Sequence, residues 1–192
     1  RPDFLPEGVP VHRAARDIIE TVSPLKTPQD VVFSCAVPSS GENVLAQGFQ
    51  IVLEGLQDPG NLGTILRTAG AFDVARVILT GSCADPYSPK AVRASMGAIF
   101  RLRPVTMDLD EIAQLKNSGV KLFAAALGDH STDVRDADLE NAAVAIGSEG
   151  RGLSAELLAL CNDNIKIPMA ETAESLNAAT AAAIIMWEAV KK

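Results

Sequence analysis

An α/β fold, a mostly parallel sheet with helices on both faces, is predicted by three features of this 192-residue sequence. Short runs rich in Val, Ile, Leu and Ala recur from residue 50 onward, and amphipathic stretches alternate with them. Those runs are apolar almost without interruption, as strands buried on both faces require. Aromatic residues make up only 4% of the chain, so the core must rest on aliphatic side chains and alanine.

The elements follow in order. Residues 1–47 read as a lead-in: a short helix pattern over 10–22, a Pro-containing connector, and an apolar strand over 31–37. Pro38-Ser39-Ser40-Gly41-Glu42-Asn43 has the composition of a loop. Residues 48–192 read as a domain of catalytic type. Strands are expected near 50–54, 75–80, 103–107, 120–127, 142–147 and 164–168, and helices near 61–72, 88–97, 108–118, 153–161 and 175–191. The chain begins at Arg1 rather than methionine, so further sequence is expected before it.

Composition excludes several classes. No apolar run reaches the roughly 20 residues that span a bilayer, and a cytoplasmic protein is expected. Cys35, Cys83 and Cys161 are odd in number and lie outside any C-x-x-C arrangement, which predicts reduced thiols rather than disulfides or zinc ligands. His12 and His130 are the only histidines, so no metal site is expected; His130 reads as a surface-loop residue. A net charge of −7 argues against nucleic-acid binding over the whole surface. Lys90, Arg93, Arg101 and Arg103 nevertheless cluster with no acidic residue among them, and such cations can contact phosphates.

Three segments carry the chemistry. In "LEGLQDPGNLGTILRTAGAF" (53–72), Asp58-Pro59-Gly60 is a turn signal and Asn61 is placed to cap a helix carrying Leu62, Ile65, Leu66, Ala69 and Phe72. At about 100° per residue, Gly63, Arg67 and Gly70 share another face, where two glycines leave room for a neighbouring backbone or a ligand. In "AIGSEGRGLS" (145–154), Gly147, Gly150 and Gly152 permit tight turning and close backbone approach to a ligand after a strand, yet form neither G-x-G-x-x-G nor a P-loop. Glu149 and Arg151 either face a ligand or pair with each other. In "IKIPMAETAESLN" (165–177), a strand ends at Pro168, Ser175 can cap the last helix, and Asn177 sits where its side chain could meet a ligand.

Taken in order, "NLGTILRTAGAF", "IGSEGRGLS" and "IPMAETAESLNAATAAAI" resemble motifs 1, 2 and 3 of the SpoU/TrmH family of RNA ribose 2′-O-methyltransferases, in the SPOUT superfamily. The resemblance covers about 51–190. "YSPKAVRASMGAIFRL" is similar to the family's ribosomal-RNA members; "NAAT" departs from the β-branched or serine residues common after the motif 3 asparagine. The resemblance implies a deep trefoil knot near the C-terminus, an exception to the rule that chains stay unknotted. It also implies S-adenosylmethionine bent into the knotted loops, against Ala126, Leu127, Gly128, Gly147, Glu149, Ile167, Met169, Ser175, Leu176 and Asn177.

The implied reaction is attack by a ribose 2′-oxygen on the sulfonium methyl, leaving S-adenosylhomocysteine and needing no metal. Arg67 matches the motif 1 arginine that the family places at the ribose. A guanidinium orients and stabilises a developing alkoxide more readily than it removes a proton. Asn61 and Glu149 would position Arg67 or the substrate, with Ser175 and Asn177 completing the catalytic set. Lys90, Arg93, Arg101, Arg103 and Arg151 would grip RNA. A homodimer through the C-terminal helix and motif 1 is implied, and the small face Ala178, Ala179, Ala182, Ala183 suits close helix contact. The lead-in resembles the end of a ribosomal-protein-like substrate domain, which favours 23S ribosomal RNA over transfer RNA. A non-catalytic knotted RNA-binding protein is the alternative of another class; an oxidoreductase lacks its strand–G-x-G-x-x-G–helix unit.

Overall fold

The structure, a computed structural model, describes residues 8–37, 47–128, 131–170, 172–173 and 175–191. The chain divides into two compact units, residues 1–37 and 38–192. In the first, helix α1 (Arg16–Val22) buries none of its residues. Arg16 ties it down, donating from Nε to Glu20 at 2.9 Å and from Nη1 to Asp30 at 2.5 Å. The helix begins later than the pattern over 10–22 predicts, and its N-cap, Ala15, offers no side-chain acceptor. The strand expected over 31–37 does not form: Val31 and Phe33 are 73% and 71% exposed. An apolar run becomes a strand only beside another edge. The loop expected over 38–43 and His130 lie outside the described residues.

The second unit is built on β1 (Gln50–Glu54), β2 (Arg76–Thr80), β3 (Val105–Thr106), β4 (Lys121–Ala125), β5 (Thr132–Asp133), β6 (Ala142–Gly147) and β7 (Asp163–Lys166). Among the described residues they form one sheet in the order β3-β2-β1-β6-β4-β7-β5, with every neighbouring pair parallel. The alternation of side chains along each strand divides the core. Ile51, Leu53, Val77, Leu79, Val144 and Ile146 join Leu62, Ile65 and Leu66 of helix α2 (Pro59–Ala71) and Ile185 and Met186 of α6 (Ala178–Val190) in one cluster. Val52, Ile78, Ala143 and Ala145 join Ile112 and Leu115 of α4 (Leu109–Asn117) and Leu157 of α5 (Ala155–Leu160) in the other. Helices thus cover both faces, as predicted.

Helix starts differ from expectation in instructive ways. Asn61 does not cap α2; Asp58 does, its carboxylate accepting from Asn61 N–H at 2.8 Å. Pro59 then takes the first turn, where a missing N–H costs nothing. Ser175 does not cap α6; Asn177 does, its Oδ1 accepting from Ala179 and Thr180 N–H at 2.9 and 3.2 Å. Helix α3 (Pro89–Ala94) stops short of 97, because Met96 and Gly97 take positive φ values of 48° and 85°. β5 has no counterpart in the sequence pattern, since two residues show no periodicity. Alanines 178, 179 and 182 are buried within the chain's own core rather than left for a second copy. Gly63 of α2 serves a neighbouring backbone, since a Cβ there would lie 2.4 Å from Ala91 O of α3, whereas a Cβ on Gly70 would meet a side chain, 3.3 Å from Ala98 Cβ.

Candidate active site

β1, β2 and β3 step outward on one side of the sheet, whereas β4 begins on the other side of β1. Such reversals leave a crevice at the carboxyl ends of the strands. Here a cleft of about 230 Å³ opens beyond β4, β6 and β7. Ala126 and Leu127 border it after β4, Gly147 and Glu149 after β6, and Ile167 and Met169 after β7; Ser175 and Leu176 close it ahead of α6. Gly128 and Asn177, expected in the same lining, stand outside it. Gly152 of the glycine loop faces the cleft as expected, and the sequence pattern missed Val134, Ser148, Ala181 and Ile185, which also face it. Ala178, Ala181 and Ile185 repeat at helical spacing, so that stripe was the available signal; Val134 carried none, because it follows the two-residue β5.

The three motif segments meet at one point. Asn177 Nδ2 donates to Asn61 Oδ1 at 3.2 Å, and Asn61 Nδ2 donates to Glu149. The cap of α6, the first turn of α2 and the glycine loop are therefore joined by one polar chain. The turn before α2 is anchored as well. Lys90 Nζ reaches Asp58 at 2.7 Å, and this contact, followed by the Asn61 N–H, holds the Asp58 carboxyl below its ordinary range. Lys90 is thereby engaged at the motif 1 turn. Arg93, Arg101, Arg103 and Arg151 are exposed and make no ion pair with a described residue, so Glu149 and Arg151 do not pair with each other.

Arg67 is exposed and does not line the cleft. It stands six residues beyond Asn61 on α2, roughly 9 Å along the axis. Gly147 does border the cleft, but its closest neighbour is main chain: a Cβ there would sit 2.1 Å from Gly152 C and O. Ser148 and Gly152 form an isolated bridge, closing the loop neck. Burial pushes the Cys161 thiol up to about 11 and raises that of Cys83, so neither is a thiolate nucleophile at neutral pH. No group of three or more His, Cys, Asp or Glu suited to a metal ion occurs among the described residues.

The lining fits a nucleoside held by apolar contacts and main-chain hydrogen bonds. Leu127, Val134, Ile146, Ile167 and Leu176 supply apolar wall. The last ladder bonds are Ala126 N–H to Ile165 O at 3.2 Å and Val134 N–H to Lys166 O at 2.9 Å. Beyond them the main chain of 127 and 167–169 leaves the sheet, with polar groups open to a ligand. The family model for the SpoU rRNA methylase family matches residues 48–187. The chain belongs to this family.

Relatives of this SpoU methylase chain agree. It is 34% identical over 188 residues to the 23S rRNA (guanosine(2553)-2′-O)-methyltransferase RlmP of Bacillus subtilis, covering 97% of this chain and 75% of RlmP. It is 38% identical to the 23S rRNA (uridine(2479)-2′-O)-methyltransferase of Streptomyces viridochromogenes, covering 70% of this chain and 49% of that protein. Among solved structures, an AdoMet-bound rRNA methyltransferase from Sinorhizobium meliloti superposes with a TM-score of 0.76 at 32% identity, over 91% of this chain and 69% of that one. The chain therefore spans between half and three quarters of these relatives' lengths.

Proposed function

We propose that this SpoU-family chain transfers a methyl group from S-adenosylmethionine to a ribose 2′-hydroxyl of RNA. The observation that carries this reading is the Asn177–Asn61–Glu149 chain, which joins all three motif segments at the rim of the strand-end cleft. When bound, S-adenosylmethionine supplies a methyl group already activated by the sulfonium charge. The apolar wall and strand-end main chain would hold the nucleoside. Glu149 and Asn61 orient the acceptor, and Arg67, reaching in from solvent, stabilises the developing alkoxide. Ser175 closes the cleft over the donor.

Ribosomal RNA is favoured as substrate, because the named relatives of B. subtilis and S. viridochromogenes act on 23S rRNA. The exposed cations Arg93, Arg101, Arg103 and Arg151, which make no ion pair with a described residue, supply phosphate contacts on an otherwise acidic protein. The same reading includes a trefoil knot, supported by the return of the chain from β7, two strands beyond β6, to pack α6 against α2. It also includes a homodimer, for which the exposed Trp187 offers surface. A cytoplasmic setting accompanies RNA methylation; no helix among the described residues is long and apolar enough to cross a membrane.

Single-turnover methylation of ribosomal RNA, with S-adenosylhomocysteine affinity measured by calorimetry, tests the proposal. Arg67→Ala is expected to slow transfer by about 10²-fold and leave affinity within about twofold, since the residue stands outside the cleft lining. Wild-type protein that binds the cofactor but methylates no RNA points instead to a non-catalytic RNA-binding role.

A further inference from the structure

Glu54 ends β1 directly beside Gly147 of β6, with Thr80 of β2 on its other side. Its side chain shares a face with Val52, the face that α5 covers. There the carboxylate accepts two hydrogen bonds from one residue, Ser154 N–H at 2.7 Å and Ser154 Oγ–H at 2.6 Å. Ser154 Oγ in turn accepts from Leu157 N–H at 3.1 Å, capping α5.

The loop over 147–154 is therefore held twice. At its neck, Gly152 N–H donates to Ser148 O at 2.9 Å while Gly147 lies against the Gly152 main chain. At its exit, Glu54 holds Ser154. Between these points Glu149, Gly150 and Arg151 are exposed, and Glu149 alone among them reaches Asn61. A segment with three glycines has many conformations open to it, so one geometry survives only if the ends are constrained. The Asn61 contact is a single hydrogen bond and cannot impose that by itself.

We propose that Glu54 is a positioning residue: by fixing Ser154 it holds the 147–154 loop where Glu149 meets Asn61. The methyl-transfer reading underlies only the second of the two measurements that follow.

The first needs neither cofactor nor RNA. Amide hydrogen exchange of Glu54→Ala should accelerate by about tenfold or more at Gly152 and Ser154 and leave β1 and β6 unchanged, with Glu54→Gln intermediate because it keeps one acceptor oxygen. Unchanged loop exchange overturns the proposal, and so does acceleration spread equally over β1 and β6, which marks plain destabilisation. The second is a cycle with Glu149→Ala in single-turnover methylation. Glu54→Ala should slow the otherwise wild-type enzyme by about tenfold and the Glu149→Ala enzyme by less than about twofold. Equal slowing in both backgrounds overturns the proposal, because Glu54 would then act independently of Glu149. If the loop exchanges as expected but wild-type protein transfers no methyl, the activity reading fails and the positioning role stands.

Discussion

A methyl group added at Gly147 would lie within 2.1 Å of the Gly152 carbonyl and 2.5 Å of Leu153 N. Main chain cannot swing aside as a flexible side chain can, so the strand end and the loop exit must separate. Gly147→Ala is expected to cost about 1–3 kcal/mol and to abolish S-adenosylhomocysteine binding, seen as a lowered Tm and a flat calorimetric titration. A variant that keeps its Tm and loses only binding would assign the glycine to the ligand instead of the loop neck. Single residues of this kind also explain the motif 1 turn. Asp58 accepts from the Lys90 ammonium and from the Asn61 N–H, and both favour its ionised carboxylate. Lys90, grouped by its sequence neighbours with the cations expected to meet RNA, is drawn to the turn before α2 by a partner 32 residues away.

At the scale of elements, Asn177 serves two masters. Its Oδ1 satisfies two N–H groups at the start of α6, and its Nδ2 donates to Asn61 on α2. Aspartate can perform the first task and not the second. Asn177→Asp should therefore hold stability within about 0.5 kcal/mol of wild type, whereas Asn177→Ala should lose about 1 kcal/mol. Both should slow methyl transfer, and melting curves run beside single-turnover assays separate the two roles. If Asn177→Asp transfers methyl at the wild-type rate, the link between α6 and α2 is structural only. Helix α4 shows the same capping logic without a functional burden: Asp108 and Glu111 form a reciprocal capping box, and no cleft residue depends on it.

At the scale of the whole molecule, Ala178, Ala179 and Ala182 of α6 are spent on the chain's own core, and Ala183 stays half-buried. Trp187 is 53% exposed and its ring lies 5.8 Å from that of Phe72, making one patch from the ends of α6 and α2. An exposed tryptophan backed by a half-buried phenylalanine suits the centre of an interface. Sedimentation of wild-type protein at micromolar concentration should show a dimer, and Trp187→Glu should shift it to monomer by placing a charge in a desolvated contact. A wild-type monomer would remove the dimer from the functional reading.

The sequence by itself determined the layered α/β architecture, because apolar runs of strand length alternating with amphipathic segments can bury themselves only as a covered parallel sheet. It also marked the three segments that meet at the candidate site, since Asn61, Glu149, Ser175 and their neighbours stand in recognisable order. Tertiary structure alone decided the rest. Whether 31–37 became a strand depended on an available edge, and whether 132–133 did depended on β7 lying beside it. Asn61 and Asn177 read as local caps or ligand contacts until the fold set them against each other across 116 residues. Glu54 gave no signal at all: a carboxylate at a strand end acquires a task only when the chain returns, 100 residues later, to offer it Ser154. Local pattern records what a segment must bury, but a hydrogen bond between distant side chains exists only once packing has brought them together.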